Sequence, residues 1–162
     1  MVDTRSPEQR RRIMASVRTK HTGPELRVRK ALHRMGYRFR LHRRDLPGSP
    51  DIVLPSWRVA IFVHGCFWHG HGCSKGRPPK ANIEYWVTKI EQNRARDARS
   101  VHALTMLGWQ VHSLWQCELK DDSALCSRLT AILGGVPGTR STSETRPSRL
   151  LTWRLRGRCP AS

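Results

Sequence analysis

Apolar residues recur at helical spacing in two N-terminal stretches, and each stretch opens with the same signal. Ser6-Pro7-Glu8-Gln9 places a serine cap, a proline at the first helical position and a glutamine three residues after the cap. Ile13, Met14 and Val17 then line one side of a predicted helix, with Arg10, Arg11, Arg12 and Arg18 on the other. Thr22-Gly23-Pro24-Glu25 repeats the device, Leu26, Ala31, Leu32 and Met35 supply an apolar stripe, and Gly36 ends the run. The period then changes. Tyr37, Phe39 and Leu41 alternate with Arg38, Arg40 and His42, which predicts a strand with one basic face.

Leu46-Pro47-Gly48-Ser49-Pro50 is a turn that delivers Asp51 to a short apolar strand, Ile52-Val53-Leu54. Pro55-Ser56-Trp57 turns the chain into a second strand, Val59 to Val63, and the resulting hairpin places Asp51 near Val63 and His64. A helix is predicted from about Ile83 to Arg94 and another to Leu107, ended by Gly108. Trp109, Val111, Ser113 and Trp115 alternate with Gln110, His112, Leu114 and Gln116, so this strand leads into Cys117. Ser123 to Leu133 reads as a short helix closed by Gly134-Gly135. The expected fold is an α/β domain with helices flanking a central mixed sheet. Residues 1–134 form that domain, and 135–162, rich in Gly, Pro, Ser, Thr and Arg, form a basic, flexible tail.

Composition changes the picture through charge. Lys plus Arg number 30 against 12 Asp plus Glu, a net +18 and a pI near 11.3, which calls for a polyanionic partner, most simply DNA or RNA. No run of 18 apolar residues exists, so no membrane span is expected. The N-terminus does not read as a signal peptide, and an intracellular, cytoplasmic setting with reduced cysteines follows.

The candidate chemistry is concentrated in Phe62-Val-His-Gly-Cys-Phe-Trp-His-Gly-His-Gly-Cys73. Cys66, His71 and Cys73 are zinc-type ligands that leave one position of a tetrahedron unfilled. Cys117, at a strand end, is the best candidate for the fourth; Cys126 reads as a buried small residue within a helix and Cys159 lies in the tail. A closed Cys₃His site is structural. His64 and His69 remain for proton transfer near neutral pH. Phe67 and Trp68 read as aromatics exposed on the loop. Asp51 is a lone carboxylate at the start of an apolar strand: either an exposed turn residue, or a group that meets a hard cation such as Mg²⁺.

Leu46-Pro47-Gly48-x-Pro50-Asp51 followed by Phe62-Val63-His64-Gly65-Cys66-Phe67-Trp68-His69-x-His71-x-Cys73 resembles the very short patch repair endonucleases. The likeness extends through Thr22-x-x-Glu25, Tyr85-Trp86, Lys89, Asn93, Asp97, Leu107-Gly108-Trp109 and Trp115-x-Cys117. It implies a restriction-endonuclease-like fold with structural zinc, and an enzyme that nicks one DNA strand 5′ to the thymine of a T·G mismatch left by deaminated 5-methylcytosine. It further implies Mg²⁺ on the Asp51 carboxylate and the Val63 main-chain carbonyl, and His69 activating water with Asp97 orienting it. His64 would lie near the scissile phosphate, and Glu25 is carried over as a further catalytic carboxylate. Phe67, Trp68 and Trp86 become wedges into the base stack. The implied partners are double-stranded DNA with a T·G mismatch and assisting mismatch-repair proteins, for a monomer associated with a prokaryotic nucleoid. Val63 departs from the threonine often found there in the family; it loses a hydroxyl and keeps the carbonyl. Two competing readings are a zinc-stapled, non-catalytic DNA-binding module and a restriction-type endonuclease with another substrate.

Overall fold

The computed structural model describes residues 20–80 and 82–134 and, before them, Ser6, Glu8, Gln9, Arg11 and Arg12. The first predicted cap is formed: the Ser6 N–H donates to Gln9 Oε1 (3.1 Å) and the Gln9 N–H to Ser6 Oγ (3.2 Å). The apolar stripe of that helix, Ile13, Met14 and Val17, and the tail from residue 135 lie outside the described residues.

Helix α1 spans Gly23–Arg34, capped by Thr22, whose Oγ1 accepts from the Glu25 N–H at 3.4 Å. It ends as predicted: Gly36 takes a left-handed φ of 82°, and the Tyr37 N–H reaches back to the Leu32 carbonyl. The expected apolar stripe is rotated, however. Leu26 is 42% exposed, and the buried positions are Glu25, Val28, Ala31 and Leu32. Glu25 occupies the reciprocal position of a capping box, but its side chain turns inward because Arg29, one turn on, and His42 supply partners for it there.

The predicted strand through Tyr37 shrinks to β1, Arg40–Leu41, which pairs with Val53 and Ile52, and His42 follows it with a left-handed φ of 46°. Strands β2 (Ile52–Leu54) and β3 (Val59–His64) form the expected antiparallel hairpin, with Ile52 opposite Ile61. The two helices expected between residues 83 and 107 are one, α2, Ile83–Met106, since no proline or glycine interrupts it. Arg58 closes its C-terminal end, donating to the Leu107 and Gly108 carbonyls, where a cation also suits the helix dipole. Strand β4 (Gln110–Trp115) then runs parallel to β3, and α3 (Asp122–Leu133) begins at an Asp121 cap and ends at Gly134.

The sheet order is β1-β2-β3-β4, antiparallel except for the last pair. Alternate residues face opposite sides. Ile52, Leu54, Val59, Ile61 and Leu114 pack with Val28, Ala31 and Leu32 of α1 and Leu125, Leu129 and Leu133 of α3. Val53, Ala60, Phe62 and Val111 pack with Leu104 of α2 on the other side. This is a mixed α/β architecture with an open sheet between helical layers. Among the described residues no helix is long and apolar enough to cross a membrane.

The rotated α1 face gives a direct test. Leu32→Ala, at a fully buried position, should lower unfolding free energy by about 2–5 kcal/mol, whereas Leu26→Ala should stay within roughly 0.5 kcal/mol of the parent. Urea denaturation checks both; equal losses would restore the stripe read from the sequence.

Candidate functional site

The site forms where β2 starts and β3 ends. In the hairpin register Asp51 falls just outside the ladder, and its Oδ2 accepts the Val63 N–H at 2.8 Å. On the other edge of β3 the His64 carbonyl accepts from the Gln116 N–H at 3.0 Å. Backbone groups alternate edges along a strand, so the Val63 carbonyl shares the Asp51 edge with its own N–H. The register sets that carbonyl opposite Pro50, which has no N–H, so a carboxylate and a strand carbonyl on one edge form an oxygen donor set suited to a hard divalent cation. Burial pushes the Asp51 carboxyl up to about 6; Glu25 adds to this, while the Val63 hydrogen bond, Arg29 and His69 oppose it. A carboxylate destabilised in this way gains from a bound cation.

Beyond β3 the chain makes a tight loop. The His71 N–H closes onto the Cys66 carbonyl at 3.0 Å, and Gly70 takes a φ of 56° where a Cβ would strike Ile90. A Cβ at Gly76 would lie 1.8 Å from the His71 carbonyl oxygen, so only glycine lets the chain fold back there. Helix α2 grips this loop: Asn93 Nδ2 donates to the Trp68 carbonyl (2.8 Å), and Arg94 donates to the His69 (2.8 Å) and Gly70 carbonyls. Arg94 was not singled out from the sequence, where it is one arginine among many.

The loop brings Cys66, His71 and Cys73 to Cys117, with all four ligating atoms within 4.8 Å of one another. Cys117 Sγ lies 3.4 Å from His71 Nδ1, close to the separation of two ligands on a tetrahedral zinc. The thiols divide in acidity. A hydrogen bond from His71 draws Cys73 down to about 6, while burial and then Cys66 and Cys73 push Cys117 up to about 11. Three thiols this close do not ionise together without a cation among them. The cluster could hold a metal, and its donor set is the one zinc prefers.

On the α2 side, His69 Nδ1 meets Asp97 Oδ2 at 2.5 Å. Burial raises the Asp97 carboxyl, but the His69 hydrogen bond and the charges of His69, His64 and Arg96 outweigh it and leave it below the usual carboxylate range. An ionised Asp97 fixes the proton on His69 Nδ1 and frees Nε2 as a base. His64 is buried, its ring 4.2 Å from that of His69 and 5.1 Å from that of Trp115. Burial, and then the charge of His69, lower its pKa to about 4, so it is neutral at pH 7. His64, His69 and Asp97 line a shallow cleft of about 310 Å³ that also takes in Arg94 and Ser113 but not Asp51.

The aromatics differ from expectation. Phe67 and Trp68 are half-buried, and they meet edge-on at 5.0 Å. Trp86, itself buried, rises from α2 against Phe67 at 5.1 Å, so the three rings form one cluster. Glu25 stands apart from the cleft, fully buried behind Asp51 with Arg29 and His42.

A strongly basic α/β domain with a carboxylate-and-carbonyl edge beside an oriented histidine has the parts of a nuclease that acts on nucleic acid phosphates. Comparison with known proteins makes this specific. Residues 2–75 match the family described as DNA mismatch endonuclease Vsr. The chain is 60% identical over 133 residues to the type II nicking enzyme V.XorIIP of Xanthomonas oryzae pv. oryzae, covering 82% of this chain and 98% of that protein. It is 36% identical over 156 residues to the DNA mismatch endonuclease Vsr of Escherichia coli K12, covering 93% and 99%. The type II nicking enzyme V.NmeAIP of Neisseria meningitidis is 38% identical over 133 residues, covering 82% and 95%. The chain belongs to the Vsr family, and it is a DNA endonuclease.

The neutral state of His64 has a measurable consequence. With a folded pKa near 4 against 6.5 in the unfolded chain, its contribution to stability is full above about pH 6.5 and is lost as pH falls toward 4. Between pH 7 and pH 5 the parent should lose about 2 kcal/mol relative to His64→Gln. Asp51 titrates in the same window with the opposite sign, but it is present in both proteins and cancels. Chemical denaturation of the two proteins at both pH values checks this; parallel losses would mean that His64 is protonated in the fold.

Proposed function

We propose that this DNA endonuclease nicks one strand of duplex DNA 5′ to the thymine of a T·G mismatch, by Mg²⁺-dependent phosphodiester hydrolysis on a restriction-endonuclease-like fold. The observation that carries the reading is the end of one strand, where Asp51 holds the Val63 N–H and the Asp97-oriented His69 packs against His64, the next residue. It is supported by the relatives, whose names describe mismatch endonucleases and nicking enzymes.

The roles follow from the surroundings of each side chain. Asp51 and the Val63 carbonyl would hold Mg²⁺, which supplies Lewis acidity to a phosphoryl oxygen. His69 takes the proton of the attacking water at Nε2, and Asp97 holds the ring and stabilises the imidazolium that forms. His64, uncharged and packed at a tilt against His69, donates a hydrogen bond to a phosphate oxygen without placing a second cation there. Cys66, His71, Cys73 and Cys117 would hold zinc, whose role with four protein ligands is structural. Phe67, Trp68 and Trp86 leave their mutual contacts to insert beside the mismatch, where a weakly stacked T·G step lowers the cost of unstacking. The arginines supply attraction to the backbone that does not depend on sequence.

The test uses matched and T·G-containing duplexes with Mg²⁺ or EDTA. The parent should nick only the mismatched duplex, and only with Mg²⁺. Asp51→Asn should abolish nicking and retain binding, and Trp68→Ala should lose about 1–3 kcal/mol of discrimination with little change in affinity for matched DNA. Equal cleavage of both duplexes would establish a restriction-type substrate instead. Binding without cleavage under all conditions would establish a non-catalytic module.

A further inference from the structure

Behind Asp51 lies a cluster that the proposed chemistry does not use. Glu25, on the inner face of α1, is ion-paired with Arg29 of the same helix, and both side chains are largely buried, 2% and 12% exposed. Arg29 also reaches His21 Nδ1 at 2.9 Å, so its guanidinium fills the space between His21, Glu25 and His42. The His42 ring stands between this ion pair and Asp51. Its Nε2 lies 2.9 Å from Glu25 Oε1 and 3.0 Å from the Arg29 guanidinium, and its Nδ1 lies 3.8 Å from Asp51 Oδ1.

The backbone makes this placement deliberate. The His42 N–H donates to the Asp51 carbonyl at 3.3 Å, which continues the β1–β2 pairing one step past the ladder. His42 holds a left-handed φ of 46°, which costs a non-glycine residue free energy and turns the ring out of the line of β1. The two oxygens of Asp51 then face different neighbours, one hydrogen-bonded and one approached by a ring at 3.8 Å. Oδ2 is fixed by the Val63 N–H, and Oδ1 faces His42. Among the described residues His42 is the basic side chain that comes within 4.0 Å of the Asp51 carboxylate, and without it Glu25 keeps the arginine of its own helix.

We propose that His42 is a positioning residue for the metal-binding carboxylate: standing between Asp51 and the buried Arg29–Glu25 pair of α1, it backs the carboxylate on the Oδ1 side and keeps Oδ2 on the Val63 edge. Glu25 then acts through His42, from behind the carboxylate. The inference rests on Asp51 being the divalent-cation ligand, and the experiment separates the two. Partners that orient a metal ligand typically account for about 10- to 100-fold in metal affinity or activity.

The measurement is Mn²⁺ binding to the DNA-free, zinc-containing protein by electron paramagnetic resonance, with nicking kinetics and melting temperature alongside. His42→Leu fills the space with no donor and should weaken Mn²⁺ about 10- to 100-fold, raise the Mg²⁺ needed for half-maximal nicking to match, and leave KM for the duplex unchanged. His42→Gln, whose amide carries two donors, should recover most of the affinity. If His42→Leu does not fold, His42→Asn replaces it, since asparagine accepts left-handed backbone and is too short to span the gap. Asp51→Asn is the control. If it leaves Mn²⁺ binding intact, Asp51 is not the ligand and the functional reading fails. If it removes binding while folded His42→Leu or His42→Asn binds Mn²⁺ like the parent, the positioning role is overturned and the functional reading stands.

Discussion

The parallel pairing of β3 with β4 is the constraint on which the rest of the site depends. Parallel neighbours finish at the same edge of a sheet, and the chain between them must cross over a face. Here α2 is the crossover, and its return deposits Cys117 beside the loop that left β3 at His64, 46 positions along the chain from His71. The same register sets His64 opposite Trp115. Because α2 crosses under the loop, Asn93, Arg94 and Asp97 come within reach of Trp68, His69 and Gly70. One topological choice therefore assembles the cysteine–histidine cluster, the oriented histidine and the aromatic cluster.

The hairpin supplies the other half. Asp51 enters from β2 at the edge of β3 that faces away from β4, so the carboxylate and the histidines approach the end of β3 from opposite sides. Electrostatically the protein alone leaves this region unsatisfied. Burial holds Asp51 well above the usual carboxylate range and His64 well below the usual imidazole range, and the Cys73 and Cys117 thiols are shifted in opposite directions. Each departure disfavours a charged form, or forces neighbours apart, until a cation or a phosphate arrives. A site built on such tension is arranged for ligands that carry charge.

Much of this was legible in the sequence, for local reasons. Two turns rich in proline bracket Ile52–Leu54, and the apolar run after Trp57 leaves one pairing for it, so the closeness of Asp51 to Val63 followed from hairpin geometry. Cys117 was legible because a strand end was the one place from which a distant cysteine could return to the loop. What escaped depended on side-chain direction. Glu25 occupies a capping-box position, and nothing local says that Arg29 and His42 will draw it inward and rotate the apolar face away from Leu26. Likewise Arg94 is one arginine among many until α2 is known to be continuous, and the half-burial of Phe67 and Trp68 follows from Trp86 rising beneath them.

The central claim is that a metal joins the loop after β3 to the end of β4 and thereby holds the catalytic and recognition groups in place. Metal analysis with X-ray absorption on the purified parent, paired with Cys117→Ala, tests it most directly. The account predicts one zinc per chain in a three-sulfur, one-nitrogen shell, retained at EDTA concentrations that strip Mg²⁺, and loss of zinc, stability and mismatch nicking together in the variant. A folded, mismatch-nicking parent that contains no zinc would contradict it.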